Sequence, residues 1–114
     1  MDDKRTIGLT EANRKTMMSL LETGFFNDRM DIAKLAMSVA INNNVQPTGT
    51  ESTETIWNVG SFDADGEIKA LIQALYPDIK TPYRTIEYLF NEGFRIIAKK
   101  MEEDDFNILD LIRV

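Results

Sequence analysis

The sequence predicts a mainly α fold: a short N-terminal β-strand followed by about five helices. Three observations carry this prediction. Lys4-Arg5-Thr6-Ile7-Gly8-Leu9-Thr10 alternates polar and apolar side chains, the period-two pattern of a half-buried strand. From Glu11 onward, apolar residues recur at the three- and four-residue spacings of amphipathic helices. Gly24, the run Asn42-Asn43-Asn44, the pair Pro47 and Gly49, and Tyr76-Pro77-Asp78 punctuate those stretches, where helices and turns end.

In the strand, Ile7 and Leu9 share one face, with Thr6, Gly8 and Thr10 on the other. A lone amphipathic strand is unstable in water and needs a partner, which in so short a chain is expected to be its copy in a second protomer. Thr10 suits a helix N-cap, its hydroxyl accepting an orphan backbone N–H, and Met17, Leu20 and Leu21 give the first helix its apolar face. Gly24 stands just past the last turn, where a left-handed residue is often needed. Asn27 or Asp28 is expected to cap the second helix, with Asp31 adding negative charge to its first turn. Met30, Ala33, Ala36, Met37, Ala40 and Ile41 form one stripe of that helix, and Ile32, Leu35 and Val39 make a second face apolar. A helix apolar on two faces is buried on two sides, which suggests that it packs on another protomer as well as on its own chain.

Residues 45–55 have almost no apolar content and read as an exposed linker, and Thr55-Ile56-Trp57-Asn58-Val59 as a short extended piece. Ser61 to Gly66 is a turn into a third helix over about Gly66–Leu75, with Ile68, Leu71, Ile72 and Leu75 on one face. Thr81-Pro82 opens a fourth, threonine at the N-cap and proline at the first helical position. Its stripe is Tyr83, Ile86, Leu89, Phe90, Phe94, Ile97 and Met101, and Gly93 inside it points to close helix packing. Phe106, Leu109 and Ile112 suggest a short last helix. The chain therefore divides into 1–45, a segment for dimerisation or DNA; 46–62, a linker and turn; and 63–114, an acidic helical segment.

A chain of 114 residues bounds this to one domain or two very small ones, and association would enlarge its modest core. With neither cysteine nor histidine, disulfides, thiolate catalysis, histidine or cysteine metal sites and histidine-based nucleophile pairs are excluded. The absence of cysteine fits the cytoplasm, no apolar run approaches the ~20 residues of a membrane span, and Met1-Asp2-Asp3 lacks signal-peptide character. The formal net charge is −6. Residues 1–47 carry six basic and six acidic side chains; residues 48–114 carry seven basic and thirteen acidic, and so hold all the net charge. The front is more compatible with phosphate than the back.

Four places invite a chemical reading. Lys4, Arg5 and Thr6 on the strand suit contacts to DNA, although Gly8, on the face of Lys4 and Thr6, offers nothing to a base edge and a strand that only joins a dimer explains the same pattern. The start of the second helix, with Asn27 and Arg29, suits a phosphate, although Asp28 and Asp31 oppose one and plain helix capping explains the same residues. Asp63-Ala64-Asp65-Gly66-Glu67 has the start of a calcium loop, but the bidentate glutamate at the twelfth position would be Ile72, so it reads as a turn and N-cap. Trp57, Phe62 and Tyr76 can stack on bases, and equally form an aromatic core cluster joining the two halves.

The order of strand, helix from Glu11 to Gly24, and helix from Asn27 resembles the ribbon-helix-helix superfamily over about residues 4–43. That resemblance implies a homodimer whose two strands pair antiparallel and enter the major groove, with Lys4 and Thr6 toward the bases, Arg5 near a phosphate, and Asn27 and Arg29 at flanking phosphates. The stretch from Gly66 to Asp78, above all Leu75-Tyr76-Pro77-Asp78, is similar to the small DndE-type proteins of bacterial DNA phosphorothioation systems, which implies a helical oligomer engaged with DNA. Together these yield the expectation of a non-enzymatic, DNA-associated protein without cofactor or metal: a transcriptional regulator or an accessory component of a DNA-modification or defence system. The alternative is an acidic oligomeric adaptor whose residues 48–114 meet a basic protein and which binds no nucleic acid.

Overall fold

Ile7 and Leu9 are fully buried, and the strand that covers them belongs to the same chain. The computed structural model describes residues 3–47, 53–103 and 105–111. Strand β1, Thr6–Leu9, pairs antiparallel with β2, Glu54–Asn58, as the two strands of a small sheet. This corrects the expectation that β1 is completed by a twin protomer. The short extended piece expected at Thr55–Val59 is realised as β2, within the stretch 46–62, of which 48–52 lie outside the described residues. The strand by itself therefore calls for no second copy.

Thr6 faces Asn58 and Ile7 faces Trp57, but Gly8 faces Thr55, so the register shifts by one residue between Ile7 and Gly8. A glycine within a strand often marks such a bulge or a close approach of another backbone. A Cβ on Gly8 would stand 2.5 Å from the Glu54 carbonyl oxygen. Gly8 thus permits strand pairing at the position where a base-reading strand would carry a side chain.

Helix α1, Glu11–Glu22, starts as expected: Thr10 is its N-cap, and its hydroxyl accepts from the Asn13 amide. Gly24, at φ 81°, follows its end. Helix α2, Arg29–Asn42, is capped by the Asp28 carboxylate, which accepts from the Asp31 amide. Its expected burial on two sides holds, but the chain's own elements supply it rather than another protomer: Ala33, Ala36 and Ala40 are buried, and so are Ile32 and Val39. The one-turn helix α3, Val59–Phe62, follows β2 directly. Helix α4, Glu67–Leu75, then leads to α5, Pro82–Met101, and a 3-10 turn, Ile108–Leu111, stands where the last helix was expected; 112–114 lie outside the described residues.

Helix α5 is the spine. α2 packs along it, and α1, α4 and β1 contact it as well. The core is one cluster drawing on Ile7 and Leu9 of the sheet, Ala36 of α2, Ile72 of α4, and Phe90 and Phe94 of α5. The front and back of the sequence therefore share a single interior. Trp57 and Phe62 join it through Phe90, with ring centroids 5.8 and 6.3 Å from that ring, which fulfils the expectation of an aromatic cluster for these two, while Tyr76 is partly buried against the same core.

Proline starts α5 as expected, but Thr81 makes no side-chain cap hydrogen bond. The cap comes from the other end of the chain. The Asp3 carboxylate accepts from the Tyr83 amide at 2.9 Å and the Arg84 amide at 3.0 Å. A carboxylate on the first-turn amides satisfies orphan donors and favours the helix dipole.

Candidate functional site

The N-terminal strand was the expected DNA-facing element, and its polar groups turn inward to α5. Glu87 and Asn91 lie one helical turn apart on α5, 7% and 1% exposed. The Glu87 carboxylate accepts from the Gly8 amide at 2.8 Å, from the Lys4 ammonium at 2.6 Å, and more distantly from the Thr53 hydroxyl. Asn91 Oδ1 accepts from the Thr10 amide and from Asn13 Nδ2, while its own Nδ2 donates to the carbonyls of Gly8 and Glu87. Two helix side chains thus occupy backbone groups along β1 that a second strand would use. Burying a carboxylate and an amide is costly unless their hydrogen bonds are supplied, and here β1 supplies them.

The five residues expected to meet DNA fare differently. Lys4 is half-buried and committed to Glu87. The half-buried Thr6 lies 3.4 Å from the Thr55 hydroxyl, which donates to it. The side chain of Arg5 is exposed, while its carbonyl accepts from the Val59 amide. Asn27 is exposed and Asp28, rather than Asn27, caps α2. Arg29, also exposed, lines an open groove of about 300 Å³ with Met30, Trp57, Ser61 and Phe62. The strand residues are thus built into the fold, whereas Arg5, Asn27 and Arg29 remain at the surface.

Sequence reasoning passed over Glu87 and Asn91, although a signal was present. They sit four apart beside Ile86, Phe90 and Phe94, so the helical period itself puts two polar residues at the margin of a buried stripe. Asp3 had no such signal.

Asp63 is a second internal anchor. Only 5% exposed, it accepts from the amides of Ile68 and Lys69 at the start of α4 and from the Tyr83 hydroxyl at 2.8 Å. The turn-and-cap reading of this stretch is realised, with Gly66 at φ 73° making the left-handed step. Burial first, then the hydrogen bond and negative charge of Asp63 and the charge of Asp3, push the Tyr83 phenol up to about 12. An unfolded tyrosine titrates near ~10. Between those values the unfolded chain releases its phenolic proton while the folded chain keeps it. The stabilisation is therefore complete below pH ~10 and is lost as pH rises toward about 12. Urea midpoints measured from pH 9 to 12 should fall more steeply for the native protein than for Tyr83→Phe. Parallel curves would remove this role for Tyr83.

Among the described residues, no group of three or more acidic side chains is placed to hold a metal ion, and no helix is long and apolar enough to cross a membrane. No protein-family model, no curated protein and no solved structure matches the chain.

Proposed function

We propose that this chain is a non-enzymatic binding protein that docks onto another protein, an acidic accessory subunit of a larger assembly, and does not read DNA with its N-terminal strand. The observation that carries this reading is the engagement of β1: Lys4, Gly8 and Thr10 are all bonded to Glu87 or Asn91. A ribbon that reads bases must present its side chains to the groove and its edge to a twin strand. The negative charge of residues 48–114 adds a long-range field that repels phosphate and attracts a basic partner.

Tagged full-length chain, purified from its native cells with nuclease treatment, should retain a protein partner that high salt removes. Duplex DNA should bind it no more strongly at 50 mM than at 200 mM salt. Recovery of no protein partner, or tight and salt-sensitive duplex binding, overturns the reading.

A second reading keeps the association with DNA, as an accessory component of a DNA-modification or defence system. It is favoured by the exposure of Arg5, Asn27 and Arg29. These contacts would be to phosphate, hence indifferent to sequence and steeply salt-dependent. The same duplex titration separates the two, and Arg29→Glu would abolish binding only in the second.

A further inference from the structure

Helix α4 packs against α5 and buries only Ile72 fully. Ile68 lies beside Ile72 and is half-buried. The next arc of the helix is apolar too, yet open to solvent. Leu71 and Leu75, one turn apart, are each 47% exposed, and Ala70 and Ala74 beside them are exposed as well. Two leucines standing over two alanines give a ridge with a shallow furrow alongside, a shape onto which a second helix packs closely. Helix propensity does not explain it, because exposed positions of a short helix are served as well by lysine or glutamate as by leucine.

The charges at its ends decide what covers it. Asp65 and Glu67 stand exposed at the start of the helix, Glu67 in the same row as Leu71 and Leu75. The far end carries the negative pole of the helix dipole, and the turn beyond holds exposed Asp78 and exposed Lys80, whose charges offset one another. A second copy is a poor occupant, because each copy brings the same net charge of −6. A parallel twin sets Glu67 against Glu67, and an antiparallel twin sets Glu67 against the negative pole of the helix and a turn without net charge. The exposed Lys69 does not relieve this, because it projects from the opposite flank of α4, about 160° from Leu71 at ~100° per residue.

We propose that the Leu71–Leu75 ridge of α4 docks an amphipathic helix of a partner protein, one with a leucine-type apolar stripe and lysine or arginine at the end that meets Asp65 and Glu67. This rests on the protein-binding reading above and specifies its surface. Burial of the leucines gives the attraction, while the acidic start of α4 sets the choice of partner and speeds encounter.

The probe is a pair of synthetic helical peptides with the same leucine and alanine stripe, one ended by lysines and the other by glutamates. Each is titrated into the full-length chain by fluorescence anisotropy at 50 mM salt. The lysine peptide should bind at least tenfold more tightly than its glutamate counterpart, and Leu71→Ser with Leu75→Ser should lose that binding at an unchanged melting temperature. Asp65→Lys with Glu67→Lys should invert the preference. Equal affinity for both peptides, binding of neither, or a dimer in sedimentation that the serine variant dissolves overturns the proposal. In the native purification, a partner recovered equally by native protein and serine variant defeats the α4 surface and leaves the protein-binding function standing. Recovery of none by the native protein defeats the function itself.

Discussion

Gly93→Ala should lower the melting temperature by about 10 °C or more, and Gly93→Val should leave the chain unfolded. A Cβ on Gly93 would stand 1.8 Å from the Ala36 carbonyl oxygen and 2.4 Å from its carbonyl carbon. Those are backbone atoms of α2, so no rotamer change relieves the clash. The two helices must move apart, and the buried contacts on either side of the crossing open with them. Overpacking a core costs typically ~1–3 kcal/mol, and a clash of backbone with backbone belongs at or above the top of that range. Each kcal/mol is about 4 °C for a domain of this size. Helix propensity alone argues the opposite, because alanine is favoured over glycine by ~1 kcal/mol within a helix. The sign of the effect therefore discriminates between the two. Gly60→Ala is the control, since nothing lies within 4 Å of the added carbon there, and its melting temperature should barely move. A Gly93→Ala variant as stable as the native protein would refute the close crossing of α2 and α5.

The second large effect is expected at Asn91. Asn91→Ala and Asn91→Leu should each destabilise the chain by roughly 3 kcal/mol or more, because several groups lose a partner together. The Thr10 amide, the Gly8 carbonyl and the Asn13 carboxamide all bond to this side chain, and Asn13 is itself only 3% exposed. A buried polar group left without a partner costs about 1–3 kcal/mol. A cavity alone would penalise alanine far more than leucine, which has the same branched shape as asparagine and somewhat more volume. Loss of polar partners penalises both. Urea unfolding of the two variants separates these causes, and a leucine variant at native stability would mean that the amide contributes little. Hydrogen exchange supplies a local check: the Thr10 amide should exchange faster in both variants than in the native protein.

These two sites also show how much of the molecule was legible in its sequence. Gly93 drew attention as a glycine inside a strong helical stripe, and close packing was the physical reason available; α2 supplies the partner, with Ala36 at the contact. Thr10 and Asp28 cap as their residue types predict, because an N-cap bond spans three residues and depends on nothing distant. Thr81 fails to cap α5 for the complementary reason: its local rule competes with Asp3, which reaches the same amides from 80 residues away. The strand Thr6–Leu9 was recognisable from its alternation, but its partner was not. An extended piece was legible at Thr55–Val59, but it is short and mostly polar, with only Ile56 and Trp57 as strong apolar cues, and nothing local ties it to Thr6–Leu9. The five residues assigned to DNA were chosen by residue type and by resemblance. Lys4 shows the limit of that choice, because a lysine beside a buried glutamate serves the fold.

Local chemistry, written in the order of side chains, determined the helices, their starts and stops, the mainly α class and the acidity of the back half. Each depends on spacings of a few residues, over which the backbone geometry is known in advance. Only the tertiary structure decided that β1 is closed by β2 and by Glu87 and Asn91, that Asp3 caps α5, and that Leu71 and Leu75 remain uncovered. Those outcomes join residues some 45 to 83 positions apart or depend on which face of α4 the rest of the chain covers. At such separations many pairings compete, and the choice among them rests on total burial and on satisfying every interior polar group at once, a property of the whole packed chain.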